Sequence, residues 1–300
     1  MRIGFGLPVS GTWATPERVG RVAVAAEREG YDSLWSFQRL YVGAEQEIDP
    51  FYRSVLDPLV ALGYTAALTT TIRLGVAVIN LPFLSPAYLA KQVASLDVLS
   101  GGRVDLGLGT GWSEAEFTAA GASGERRAAR TREFVAVLRS LWRDDVSAFA
   151  GEFYTVPPGR MLPRPVQEGG VPILLGGSVP AALRRAGEIA DGWVSRSAHD
   201  LTQIAKDIEL VRAGAEKAGS DPDLLRIVCR GALFRPGREI LNGSWEKIRE
   251  DVAWLGTQGV TEIFYDLNFD PSIASLDADP DAAEERALDI LHNLTPRGLS

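Results

Sequence analysis

The feature of this sequence that most restricts its fold is an alternation of strand and helix signals along all 300 residues. Short apolar runs predict strands at 2–8, 32–37, 72–80, 103–109, 171–176, 191–196, 225–234 and 261–267. Helical patterns fall between them, at 16–30, 55–70, 86–100, 125–143, 179–190, 200–218, 243–257 and 280–294. Such alternation specifies a parallel sheet covered by helices. Eight of each is the count of a closed (β/α)8 barrel, the TIM-barrel architecture. An open dinucleotide-binding sheet would carry a glycine fingerprint after its first strand, and Leu7-Pro8-Val9-Ser10-Gly11 is not one. The expectation is one barrel domain over residues 1–300.

The rhythm breaks once, at 145–170. There Phe149, Phe153, Tyr154 and Val156 flank Gly151-Glu152, the pattern of a small hairpin. Met161-Leu162-Pro163-Arg164-Pro165 must then run extended, because each proline disfavours helical geometry in the residue before it. The segment reads as an insertion. A stretch rich in Asp and Pro at 270–281 reads as a loose loop. Ser85 is placed to cap the helix that opens with Pro86, and Leu89, Val93 and Leu96 fall on one of its faces. Gly101-Gly102 ends it, where positive φ costs glycine little.

With 46% hydrophobic residues the chain can bury a large core, and its net charge of −8 argues against a nucleic-acid partner. The pairs Arg126-Arg127 and Arg184-Arg185 read as solvated helix faces. Cys229, the one cysteine, excludes an intrachain disulfide and sits in an apolar strand pattern that predicts buried packing. No signal-peptide layout and no membrane-length apolar run are visible, so a cytoplasmic protein without a membrane partner is expected.

Barrel ligands sit at the C-terminal strand ends. The strand at 103–109 runs into Gly109-Thr110-Gly111-Trp112, and Ser113 with Glu116 has the spacing of a capping box. Free N–H groups beside glycines can take an anion or carbonyl oxygens; glycines that serve only a tight turn give the same pattern. A second loop, Gly176-Gly177-Ser178 before Pro180, is a candidate phosphate site, with Ser178 as a candidate cap. Together the loops point to a ligand with a phosphate and an extended polar ring.

The four lysines all lie in helical patterns, which leaves no strand-end amine for a Schiff base. His199 and His292 stand apart, no metal-ligand spacing occurs, and no serine nucleophile elbow is present. His199 follows the sixth strand and fits either the mouth or the surface. By elimination the difficult chemistry belongs to an organic cofactor and no metal is expected.

Several runs carry a family resemblance: Tyr31-Asp32-Ser33-Leu34-Trp35, Ile72 to Val78, Leu89-Ala90-Lys91-Gln92, Leu96 to Arg103 and Leu108 to Trp112. Further along come Gly151-Glu152-Phe153-Tyr154, Met161 to Pro165, Gly176-Gly177 and Asp191-Gly192-Trp193. On these residues the chain resembles the luciferase-like monooxygenase superfamily over nearly its whole length, most of all its F420-dependent oxidoreductase branch. The resemblance implies a barrel that binds the deazaflavin coenzyme F420, or alternatively FMN, at its C-terminal mouth. It implies a cis peptide at Ala77-Val78 against the ring, Thr110, Gly111 and Trp112 beside the cofactor, and Gly176, Gly177 and Ser178 at the phosphate.

One departure matters. Where the branch usually has an Asp-His pair, this chain has Gln38-Arg39. Arginine stays charged and cannot readily shuttle a proton, but it can hold a substrate carboxylate or an anionic ring. The candidate catalytic residues are therefore Arg39 and Glu114, with Gln38 on the cofactor side. Trp35, Tyr41 and Tyr52 are candidate substrate contacts, and Tyr41, Tyr52 and Glu114 are alternative proton sources. The expected activity is hydride transfer between F420 and a small organic substrate. The alternatives are a reduced-FMN monooxygenase and a barrel that binds a ligand without catalysis. Many relatives are dimers, which makes a homodimer an expectation.

Overall fold

Barrel strands are covered on both faces, inward by the barrel interior and outward by helices, so they read as nearly continuous apolar runs. The computed structural model describes residues 1–296. Its first strands are β1 (Arg2–Gly6), β2 (Ser33–Ser36), β3 (Arg73–Asn80), β4 (Val104–Gly109), β5 (Ser147–Ala150) and β6 (Thr155–Gly159). Then come β7 (Ile173–Gly176), β8 (Gly192–Val194), β9 (Arg226–Gly231) and β10 (Glu262–Tyr265). Eight of them close a parallel barrel in the order β1-β2-β3-β4-β7-β8-β9-β10, and β10 pairs back to β1. β5 and β6 form a separate antiparallel hairpin.

The helices are α1 (Pro16–Glu29), α2 (Pro58–Leu68), α3 (Pro86–Ser100), α4 (Glu114–Ala119), α5 (Arg127–Arg143) and α6 (Pro180–Ile189). They continue with α7 (Ile204–Lys217), α8 (Trp245–Thr257), α9 (Pro271–Ala274) and α10 (Pro280–Asn293). Each predicted strand and helix is present, shortened by a few residues at its ends.

Side chains pointing into the barrel set its depth. At the strand starts, Asp105 and Glu262 are fully buried and paired with arginines. Arg73 Nε reaches Asp105 at 2.8 Å, and Arg226 Nη2 lies 3.0 Å from both carboxylates. Above this layer an apolar cluster of Trp35, Leu174, Val228 and Phe264 fills the interior. Trp35 stacks on Phe264 with ring centroids 5.0 Å apart and donates its indole N–H to Ser33 at 2.8 Å. Glycine is required at 75, where a Cβ would lie 2.4 Å from the Trp35 ring. The barrel is thus plugged from below, and a cavity opens at its C-terminal mouth.

The insertion is tied to the helix layer. Glu133 of α5 accepts N–H bonds from Glu152, Phe153 and Tyr154 at 2.8, 2.8 and 3.1 Å. Asp97 of α3 accepts from the N–H groups of Val166 and Gln167 at 2.8 and 3.2 Å, and Lys91 bonds the Leu162 carbonyl. Arg103 donates to the carbonyls of Ala66, Thr69, Ile72 and Ser100 at 2.7–3.0 Å. Three of the family-marking residues therefore clamp helix ends and the insertion, far from the mouth.

Some local expectations are corrected. The Ser85 hydroxyl makes no capping bond to α3, whose entry is set by Pro86 alone. The cap position of α6 is Val179, one residue beyond Ser178. The 270–281 stretch is ordered by α9, whose Ile273 and Ala274 are fully buried and whose first turn is capped by Asp270. Arg185 is 9% exposed, so only Arg184 of that pair faces solvent. Cys229 is fully buried, and burial pushes its thiol up to about 12. Among the described residues no helix is long and apolar enough to cross a membrane.

Candidate active site

The floor of the mouth is built by β3. Its register against β4 shifts between Val76 and Ile79, and the Ala77–Val78 peptide within that shift is cis. Val78 lines a cavity of about 170 Å³ at the strand ends. Neighbouring strands make room with glycine. A Cβ at Gly109 would lie 2.5 Å from Val78 Cγ2, and one at Gly176 would lie 3.3 Å from Val78 Cγ1. Much of the glycine in the Leu108-Gly109-Thr110-Gly111 run is therefore spent on the bulge. Gly111 has φ +71°, and its N–H is already given to Asn80 Oδ1 at 3.1 Å. That N–H is therefore not free for an anion.

Opposite β3, Arg230 at the end of β9 crosses the floor. It donates to the Ala77 carbonyl at 2.8 Å and to Asp266 at 2.6 Å, and its Nη2 has no partner among the described residues. Phe269 lies under its guanidinium, 4.2 Å from ring centroid to Cζ. An arginine this buried is held in place by its partners and keeps one donor direction unused.

The side wall comes from the β2–α2 loop. Arg39 is 9% exposed and its Nη1 is 2.7 Å from Glu116 Oε2. Its guanidinium lies 4.4 Å from the Tyr52 ring centroid and 4.7 Å from that of Trp112. Arg39 Nε is buried and has no partner among the described residues. The capping-box expectation fails here for a physical reason. Glu116 turns away from the α4 start to neutralise Arg39 and to accept the Leu40 N–H at 2.7 Å, leaving the Ser113 hydroxyl unbonded. Arg39 is thus not a free cation awaiting a carboxylate.

The predicted residues separate into two groups. Gln38, Arg39, Tyr52, Ala77, Val78, Trp112, Gly176 and Gly177 line the mouth cavity together. Gln38 also ties two strand ends, accepting the Asn80 N–H at 2.8 Å. Trp35 lies one layer deeper, inside the plugged barrel and 1% exposed. Thr110 and Gly111 stand behind the wall, while Tyr41, Glu114 and Ser178 are exposed and do not line the cavity. Glu114 heads α4, whose inward face is taken by Glu116 and Phe117. His199 is buried against Trp193, with Nε2 3.0 Å from Asp207 Oδ2 and burial lowering its basicity.

Sequence reading missed Phe37, Asn80, Ser195, Arg196, Arg230 and Phe269, all on the lining. For Arg230 a signal existed: a charged residue near the C-terminal end of an otherwise apolar barrel strand. Phe269 gave none, because only tertiary packing brings its loop over the mouth. One cavity adjoins it, of about 410 Å³ and sharing Tyr52 and Trp112; a separate one of about 430 Å³ is lined by residues of the 198–202 and 237–240 segments.

The comparisons with known proteins agree on this scaffold. The family model for luciferase-like monooxygenases matches residues 3–235. An uncharacterized protein of Mycobacterium tuberculosis is 30% identical over 73% of this chain and 81% of its own length. An F420-dependent glucose-6-phosphate dehydrogenase of Nakamurella multipartita is 33% identical over 74% of this chain and 65% of its own. Among solved structures, the monooxygenase RslO1 of Streptomyces bottropensis superposes with a TM-score of 0.79 at 22% identity, covering 99% and 100% of the two chains. The chain belongs to the luciferase-like monooxygenase family.

Proposed function

We propose that this protein is an F420-dependent oxidoreductase that moves a hydride between the deazaflavin and a small organic substrate. The observation that carries the reading is the composition of the mouth. Its lining offers three guanidiniums, aromatic rings and bare glycine backbone, and no Asp, Glu, Lys, His or Cys. A lining of that kind binds and orients a reacting group brought by a ligand. The residues suit a flat, polar ring: Val78 rises from the floor, aromatic side chains form the wall, and Arg39 Nε and Arg230 Nη2 are unused donors. Gly176 and Gly177 would face the cofactor's phosphate end. A bound deazaflavin would supply a carbon that accepts or releases hydride, and the Arg39 and Arg230 guanidiniums, held by Glu116 and Asp266, would offer it fixed N–H donors. The similarity to an F420-dependent dehydrogenase favours this cofactor.

A reduced-FMN-dependent monooxygenase is the second reading, favoured by the family's own description. Titration of the purified protein with F420 and with FMN, followed by fluorescence, separates the two. Micromolar F420 binding with no FMN binding supports the first, and the opposite preference overturns it.

We also propose that two copies associate through α2. This helix carries no charged residue, and Val60, Tyr64 and Leu68 form an exposed stripe at helical spacing, 73%, 44% and 39% accessible. A helix apolar on all sides is one covered on all sides. Sedimentation velocity should show a dimer that Tyr64→Asp converts to monomer; a wild-type monomer would refute it.

A further inference from the structure

We propose, resting on the oxidoreductase reading above, that the Tyr52 hydroxyl is the proton donor of the reaction. Hydride delivered to a C=O or activated C=C leaves negative charge on the acceptor, which must then take a proton. Arg39 cannot supply it, since a guanidinium keeps its protons at ordinary pH. Apart from Tyr52, every titratable side chain on the cavity lining is also an arginine: Arg39, Arg196 and Arg230.

Tyr52 is built for the role by its surroundings. Its ring is fixed by edge contacts with Phe51 at 4.8 Å, Phe269 at 5.6 Å and Trp112 at 6.0 Å between centroids. Yet its hydroxyl makes no hydrogen bond among the described residues, and unlike the equally unbonded Tyr265, which is sealed in the interior, Tyr52 lines a cavity. Partly buried tyrosines normally find a partner, so an idle hydroxyl on a cavity wall is available to a ligand. Burial raises the Tyr52 pKa, while Arg230 and Arg39 pull it down and Asp49 and Asp266 push it up. Glu116 takes up part of the Arg39 charge, and Glu47 faces Tyr52 across the outer cavity. The phenol therefore keeps its proton at neutral pH, and Arg230 and Arg39, each paired with a carboxylate, offset only part of the burial that opposes the tyrosinate.

In the reductive direction, reduced deazaflavin is the hydride donor. A C–H bond of the bound reduced cofactor would break as the new C–H bond forms on the carbonyl carbon and its π electrons move onto oxygen, and the Tyr52 O–H bond would break to give the product hydroxyl. The carbonyl is reduced, the deazaflavin is oxidised, and the tyrosinate recovers its proton from water in the outer cavity that Tyr52 borders.

Tyr52→Phe keeps the ring contacts and removes the proton. Ultraviolet difference titration of the cofactor-free protein should show one ionising phenol in wild type that the variant lacks. Identical titrations up to unfolding would mean an unreachable hydroxyl and overturn the assignment. With reduced F420 and cyclohexenone, the variant should bind cofactor with wild-type affinity and lose about 100-fold or more in kcat, together with the alkaline limb of the pH profile. An unchanged kcat overturns the proton role and leaves the oxidoreductase reading intact. Wild type that binds no F420 overturns that reading, whatever the phenol titration shows. Wild type that binds F420 and leaves cyclohexenone unreduced overturns the carbonyl class and the proton role with it.

Discussion

Glu116 grips Arg39 across the mouth at 2.7 Å, two residues 77 positions apart, and its second oxygen fixes the Leu40 backbone N–H at the same distance. Both side chains are at least 96% buried, 4% and 1% exposed respectively. Removing one partner of such a pair leaves an uncompensated buried charge. Glu116→Ala should therefore cost about 3–5 kcal/mol in urea unfolding. The double variant Arg39→Met with Glu116→Leu should recover most of that loss. A single-variant cost below about 1 kcal/mol would mean that water reaches the guanidinium and that the pair is not buried in solution.

Arg230 ties the cis-peptide carbonyl of Ala77 to Asp266, and so joins opposite sides of the barrel mouth. Arg230→Met keeps the stem but removes both bonds and the charge. Asp266 keeps its bonds to Asn268 but loses its cation, so the variant should be destabilised as Glu116→Ala is, and its affinity is read well below its melting temperature. Cofactor affinity should fall at least tenfold in a fluorescence titration, because ring binding loses a donor and its floor loosens. Arg230→Lys should fall between, having charge without the two-pronged geometry. An unaltered dissociation constant would make Arg230 a purely structural strut.

The barrel was legible because its strands are apolar throughout and its helices periodic, signals that survive without tertiary knowledge. The site was legible only in part. Val78 is marked by resemblance and Gly176–Gly177 by their strand–loop–helix pattern as well, and all three line the cavity. Trp35 was misplaced because its strand carries it inward, and depth along a barrel axis is not written in a strand pattern. Glu116 was assigned to its own helix by spacing, but a carboxylate within reach of a buried guanidinium gains more there than at a helix start. Arg230 was overlooked inside an apolar run, where one charged residue near a strand end should have drawn attention.

Glu27 gives an acid-dependent prediction. Burial raises its pKa, but N–H bonds from Thr71, Ile72 and Thr70, with the Thr71 hydroxyl, outweigh that and hold it at about 2. A folded-state pKa below the unfolded one adds stability at higher pH that is lost on acidification. That contribution is complete above the ordinary carboxylate value of 4.5 and disappears as pH falls towards 2. Glu27→Gln should therefore be destabilised by about 1 kcal/mol at neutral pH. The gap to wild type should close between pH 4.5 and 2 in melting temperatures. A gap independent of pH would show that charge at this α1–β3 junction is irrelevant.

Gly109 decides between two uses of glycine at the β4 end. If the residue served a ligand directly, a methyl group there would affect binding alone. The structure instead puts that methyl 2.5 Å from Val78 Cγ2 and 3.1 Å from Asn80 Oδ1, so it must displace the bulge. Gly109→Ala should cost about 1–3 kcal/mol through overpacking and weaken cofactor binding by pushing Val78 further into the cavity. Adding Val78→Ala removes the clashing methyls, and should restore stability more than affinity, because the ring then loses its contact with the floor. Stability unchanged in Gly109→Ala, with affinity lost, would return this glycine to the ligand.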